Sequence, residues 1–119
     1  MAIIIKTNNP EKLIKSLNDA IYNREILTWS VDHDGDYTIA RDQWRYHAWF
    51  RRKLLKNNQL AFGIVQSRKY KMTRDLYGIY HGRFVATLLS HFDNLMDDIN
   101  VTPLLIHNID IVELQETCL

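Results

Sequence analysis

Hydrophobic and polar positions change period several times along this chain, and each change marks an element. Ala2 to Lys6 is a short apolar run that reads as a buried or edge strand. Asn9-Pro10 opens a helix: an asparagine side chain accepts from free first-turn N–H groups, and proline at the first helical position loses no hydrogen bond. Leu13, Ile14, Leu17, Ala20 and Ile21 then recur at helical spacing on one face, up to an end near Asn23. From Glu25 to Val31 the period falls to two, with Leu27, Trp29 and Val31 on one side. Asp34-Gly35 signals a tight turn because glycine readily takes a positive φ, and Tyr37 to Ala40 is the returning strand.

Tyr46 to Leu54 and Leu60 to Gln66 form a second alternating pair, with Lys56-Asn57-Asn58-Gln59 as the turn between them. Leu60, Phe62 and Ile64 share one face of the later strand, and the small residues Ala61 and Gly63 share the other. Thr73 caps a second helix running from Arg74 to about Met96. At 100° per residue, Tyr77, Phe84, Val85, Leu88, Phe92, Leu95 and Met96 make one apolar stripe, while Arg83, Ser90, Asn94 and Asp97 face away. Val101-Thr102-Pro103 ends the helical pattern, and Ile109 to Leu114 alternates as a last strand. The order β-α-β-β-β-β-α-β predicts an α+β fold of two layers. Both helices lie on one face of a mostly antiparallel sheet of about five or six strands.

With 119 residues, the pattern fits one domain spanning 1–119, with 115–119 read as a flexible tail. A hydrophobic fraction of 46% is enough for a core and speaks against general disorder. The one cysteine, Cys118, can form no internal disulfide, which fits a reducing compartment. The apolar run at the N-terminus is too short for a signal-peptide core. No stretch reaches the roughly 18–20 apolar residues that span a bilayer, so no membrane is expected and the setting reads as cytoplasmic.

Charge changes the picture more than composition does. The net charge is only +1, yet residues 41–74 hold ten basic residues against one acid, a net of +9, and residues 93–119 hold six acids and no Lys or Arg. Such polarity bears on partners and association rather than on fold. If Tyr46 to Leu54 is a strand, Arg45, His47, Trp49, Arg51 and Lys53 share one face. Cations interleaved with a tryptophan suit phosphate contacts with base stacking, as in single-stranded nucleic-acid binders. They equally suit an acidic protein partner. The plainer reading is a solvated sheet face whose cations discourage edge pairing.

His81 falls inside the apolar stripe near Tyr77. A buried imidazole needs hydrogen-bond partners, so it reads either as a core histidine satisfied by a carbonyl or a tyrosine, or as a pocket-lining base or ligand. Gly78 and Gly82 lie four apart on one flank of the helix, where close packing on a strand would compensate their low helix propensity. Asp32-His33-Asp34-Gly35-Asp36 resembles a calcium loop at first sight. However, Tyr37 and Gln43 stand where such a loop needs glycine and glutamate, so the segment reads as a turn with solvated acids. His91 and Asp93 point apart on a helix, and no His-Glu-x-x-His or Cys-x-x-Cys spacing occurs. No metal, cofactor or catalytic residue is therefore expected.

The segments Trp29 to Tyr37 (WSVDHDGDY), Gln43 to Trp49 (QWRYHAW) and Ile79 to Phe92 (IYHGRFVATLLSHF) resemble small uncharacterised bacterial proteins. These carry an aromatic–Asp-Gly-Asp–aromatic hairpin and a Tyr-His-Gly-Arg-Phe helix. The resemblance implies a bacterial, single-domain, intracellular protein and carries over no functional residues. The first functional expectation is a small non-enzymatic interaction domain with a protein partner or a second copy of itself. The alternatives are a single-stranded nucleic-acid binder using the basic strand face, and a small-ligand binder or enzyme with a pocket at His81 and Tyr77.

Overall fold

The computed structural model describes residues 2–104, 106, 109 and 110. The chain runs β1 (Ala2–Lys6), α1 (Pro10–Tyr22), β2 (Trp29–Val31), β3 (Tyr37–Ile39), β4 (Ala48–Leu55), β5 (Gln59–Gln66) and α2 (Arg74–Phe92). A 3-10 turn at Asp93–Leu95 and strand β6 (Asp98–Val101) follow. Six antiparallel strands make one sheet in the order β2-β3-β4-β5-β1-β6. Ile3, Ile5, Phe50, Leu60, Phe62 and Ile64 project from one face into a single core with Leu13, Leu17 and Ala20 of α1 and Tyr80, Phe84 and Leu88 of α2. Both helices therefore cover the same side, as an α+β fold of this element order requires.

Local chemistry explains most of the boundaries. Asn9 Oδ1 accepts from Lys12 N at 3.1 Å and Thr73 Oγ1 accepts from Leu76 N at 3.1 Å, so each helix starts on a side-chain cap. At the β4–β5 turn, Leu55 pairs with Gln59 across a three-residue loop in which Asn57 (φ 61°) and Asn58 (φ 58°) take the left-handed conformation, which asparagine tolerates better than most residues. In the β2–β3 turn, Asp32 Oδ1 accepts from Asp34 N and Asp36 N at 2.9 and 3.0 Å, and Gly35 supplies φ 83°.

The structure differs from the sequence pattern in four places. First, α2 stops at Phe92, and Asp98–Val101, read above as lying at the helix end, becomes the sixth strand. Strand propensity there is modest. What decides it is the open edge of β1, where Ile3 pairs with Val101 and Ile5 with Ile99. The strand expected at Ile109 to Leu114 is replaced at its start by a turn, with Ile109 N and Asp110 N donating to Ile106 O at 3.1 and 3.0 Å. Residues 111–114 and the tail 115–119 lie outside the described residues.

Second, β2 pairs only from Trp29, and Ile26 is buried while Leu27 is exposed. The cause is the exit from α1, where Arg24 takes φ 62° and Glu25 N and Ile26 N both donate to Ala20 O. Third, the buried stripe of α2 is Leu76, Tyr80, His81, Phe84, Leu88 and Phe92, with Tyr77 only half-buried. Fourth, Gly78 and Gly82 do not pack on a strand. A Cβ built at either meets nothing within 4 Å, whereas a Cβ on Gly63 would run into the backbone carbonyl of Ile109, which crosses the face of β5 away from the helices.

Two measurements test this architecture. Gly78→Ala and Gly82→Ala are each expected to raise stability by roughly 0.5–1 kcal/mol in urea titrations. Gly63→Ala is expected to lower it by about 1–3 kcal/mol, because the Ile109 segment must move. A stabilised Gly63→Ala variant would refute the crossing. The second test uses Tyr37, which is fully buried and donates its hydroxyl to Asn18 Oδ1 at 2.5 Å. Burial pushes its phenol from 10.0 up to about 12, against a weaker opposite pull from Arg52. As pH rises, the unfolded chain loses this proton first. Stability is thus intact below the ordinary value and falls by about 1.4 kcal/mol per unit until the folded-state value is passed. Tyr37→Phe should flatten that alkaline slope in urea titrations, and an unchanged slope would assign it to other groups.

Candidate functional site

The chain between β3 and β4 is held as a turn rather than a strand, and that turn builds the most chemically distinctive surface of the molecule. Asp42 (φ 62°) and Tyr46 (φ 60°) take left-handed conformations. Tyr46 N donates to Ile39 O at 3.2 Å. Inside the turn sits the hydroxyl of Tyr80 from α2. It donates to Trp44 O at 2.6 Å and accepts from His47 N at 3.1 Å, reinforcing the 3.3 Å hydrogen bond that His47 N makes to Trp44 O within the turn. Thr38 Oγ1, which donates to Ala48 O at 2.7 Å, lies 3.3 Å from the same hydroxyl.

Arg45 and His47 therefore precede β4 instead of alternating along it. They still meet Trp49, because the turn folds back over the start of the strand. A cleft of about 610 Å³ forms there, walled by Arg45, Tyr46, His47, Trp49, Lys69 and Tyr70. The His47 ring stacks on Tyr70 with centroids 3.7 Å apart and planes 16° from parallel, and Trp44 meets the same imidazole edge-on at 6.0 Å. His47 Nδ1 lies 2.9 Å from Arg45 O, and since a carbonyl only accepts, Nδ1 carries the proton. Lys69 Nζ stands 5.7 Å from the Tyr70 centroid, within cation–π range. Tyr46 is 51% exposed, so its ring is offered to solvent.

The cleft contains one carboxylate, and it is already committed. Asp42 Oδ1 accepts from Trp44 N at 2.9 Å, and Oδ2 accepts from Arg83 Nη1 at 2.7 Å. The backbone hydrogen bond first, and Arg83 second, hold this carboxyl below its usual range. With Asp42 matched by Arg83, Arg45 and Lys69 give the cleft its positive balance.

The other residues of the basic run go elsewhere. Arg51 binds the buried Asp36 with two hydrogen bonds, from Nε at 3.1 Å and Nη2 at 2.8 Å, and this contact raises its pKa further. Arg52 donates to Gly35 O at 3.3 Å. Lys53 is exposed further along β4 and does not line the cleft. Of the five residues assigned to one strand face, the structure brings Arg45, His47 and Trp49 together and parts Arg51 and Lys53 from them.

Tyr46, Lys69 and Tyr70 were missed by the face argument. Their signal was the hairpin itself: Ala48 pairs with Gln66, so residues 67–70 must run back past 43–47.

His81 is 4% exposed. Its Nδ1 donates to Tyr77 O at 2.8 Å, and its ring lies 5.0 Å from Phe50 and 4.3 Å from Tyr77. That is the surrounding of a core histidine satisfied by a carbonyl one turn back. The Asp32–Asp36 turn brings three carboxylates within 4.8 Å of one another, but Asp32 and Asp36 bind the turn's own N–H groups and Arg51. A further groove of about 580 Å³ between α1 and the β4–β5 turn is bordered by Ile14, Tyr22 and Leu54, with Lys15 and Asp19 paired at 2.6 Å on its rim. That groove is lined by two acids, Glu11 and Asp19, and two bases, Lys15 and Arg52, whereas in the basic cleft the cations exceed the acid.

Among the described residues, no helix is long and apolar enough to cross a membrane. Compared with known proteins, the chain matches no family model, no curated protein and no solved structure.

Tyr80→Phe tests the assembly of the cleft. It removes the hydroxyl from Trp44 O and His47 N–H, which keep only their mutual 3.3 Å hydrogen bond, and is expected to cost about 0.5–1.5 kcal/mol in urea denaturation. Tyr46→Phe, at an exposed ring, should stay within about 0.5 kcal/mol of the parent. Equal stabilities for the two variants would show that Tyr80 does not hold the turn.

Proposed function

We propose that this protein is a small non-enzymatic binding domain, acting in the bacterial cytoplasm, whose working surface is the basic–aromatic cleft of Arg45, Trp49 and Tyr70. The observation that carries this reading is the convergence of several aromatic side chains with Arg45 and Lys69, while Asp42 is neutralised by Arg83. A surface of that kind favours an anionic partner: its charge steers encounter and its rings supply contact area. Asp42 is engaged by Trp44 N and Arg83 and His47 Nδ1 by Arg45 O, so these groups serve the shape of the turn, and Nε2 is the acceptor left on the His47 ring. This favours binding over catalysis.

Self-association is a second reading, favoured by one observation. Among the described residues β6 is the outermost strand of the sheet, with no neighbour on one side, and the exposed acids Asp97 and Asp98 lie at its start. An acidic edge and a cationic cleft on one chain complement each other between copies.

The main reading is tested by titrating the protein with polyanions at low and moderate salt, reading tryptophan fluorescence. Binding that weakens steeply with salt and is lost in an Arg45→Glu, Lys69→Glu double variant is expected. No binding to any polyanion at low salt overturns it. For self-association, gel filtration should show a dimer that dissociates as salt rises, and a monomer at every concentration removes that version.

A further inference from the structure

Resting on the reading of the cleft as an anion-binding surface, we infer that its partner is single-stranded nucleic acid, held by phosphates on Arg45 and Lys69 and by bases against Trp49 and Tyr46. An acidic peptide can also use cations and aromatic anchors, but it offers few planar groups to stack on several rings at once. This site adds planar rings in a concave setting: the parallel His47–Tyr70 stack, Trp49 inside the cleft, and Tyr46 half-open to solvent. The cleft volume of about 610 Å³ lies in the range of sites that enclose small planar groups, and such concavity is unlike the broad surfaces that globular proteins bury against each other. Stacking against aromatic rings is tolerant of base identity, and every base of an unpaired strand has a free face to offer.

Further cations lie beside the cleft residues in the chain, among them Arg41, whose Nε also donates to Leu27 O at 3.2 Å. Arg41 precedes the turn, and Arg68 and Lys71 flank Lys69 and Tyr70; all three are exposed. Cations thus lie on both chain segments that border the rings. A duplex would not fit the same way, since its bases are already stacked on each other and their faces are closed to Trp49 and Tyr46.

The overall charge of +1 does not oppose this, because residues 41–74 hold ten basic residues against the one acid Asp42, which Arg83 pairs. Asp93, Asp97 and Asp98 belong to the end of α2 and to β6, the far edge of the sheet order from β3 and β4. Potential near the cleft follows local cations within about one Debye length, roughly 8–10 Å in ordinary buffers.

The test compares four probes on the whole protein: an oligothymidylate of about ten nucleotides, the corresponding duplex, inorganic polyphosphate of equal charge, and polyglutamate. The oligothymidylate is expected to bind at least about ten-fold more tightly than each of the others and to quench tryptophan fluorescence. Trp49→Phe should remove most of the quench, and Tyr46→Ala, at an exposed ring, should weaken single-strand binding about 5- to 150-fold. Polyphosphate binding should not respond to Tyr46→Ala. Arg45→Ala should reduce the slope of log K against log salt by about 0.7.

Polyphosphate or duplex binding as tightly as the single strand overturns the nucleic-acid inference while leaving the anion-binding reading standing. Preference for polyglutamate overturns it in favour of an acidic protein. No binding of any probe ends both.

Discussion

The ring of Phe84 sets the geometry of everything else. It lies 4.8 Å from Trp29, 5.8 Å from Tyr37, 4.8 Å from Phe50 and 4.9 Å from Phe62, so one side chain of α2 is gripped by β2, β3, β4 and β5 in turn. Edge-on and stacked aromatic pairs of this kind each add about 0.5–1.5 kcal/mol beyond the area they bury. Their number at one point fixes the rotation of the helix as well as its position. With Phe84 seated, Leu88 falls one turn later into the core, and Tyr80 falls one turn earlier, over the end of β3.

That placement joins core to surface. Tyr80 is fully buried along its ring, near Trp29 and Phe50, yet its hydroxyl reaches the 44–47 turn. An apolar body with one polar tip suits the position, since phenylalanine would fill the core but lose both hydrogen bonds to the turn. The cleft is thus an outgrowth of the core. A rigid helix holds the turn that carries Arg45 and His47, and the β4–β5 hairpin brings Tyr70 under the imidazole. Surfaces positioned by rigid elements keep their shape when unoccupied, which lowers the ordering cost of binding.

The arginines divide into two roles. Arg51 and Arg83 each neutralise one acid, Asp36 and Asp42, and each tie joins parts of the chain far apart in sequence. The exposed Arg83–Asp42 pair contributes little to stability, about 0–1 kcal/mol, whereas Arg51 is the partner of a buried carboxylate. Their larger effect is on the field. Asp42 would otherwise offset the charge of the cleft, and Arg83 on the outer flank of α2 cancels it.

Periodicity alone determined the class of fold, the two helices with their asparagine and threonine caps, both hairpin turns and most of the buried face of β5, because those features depend on residues close together in the chain. Charge segregation was equally legible, and it pointed to the right stretch of sequence. What it could not supply was which cations stay available. Arg51 looked like a partner of Arg45 until Asp36, brought beside it by the β3–β4 pairing, took it. The sixth strand was likewise hidden, since Asp98–Val101 has weak strand character and pairs only because β1 leaves an edge open ninety residues earlier, at Ile3 and Ile5. The left-handed turn at 42–46 was the deepest miss. Local hydrogen bonds such as Trp44 N to Asp42 Oδ1 and His47 N to Trp44 O close it, but a tyrosine hydroxyl from another layer also binds its backbone, an energy that appears only once the helix is docked.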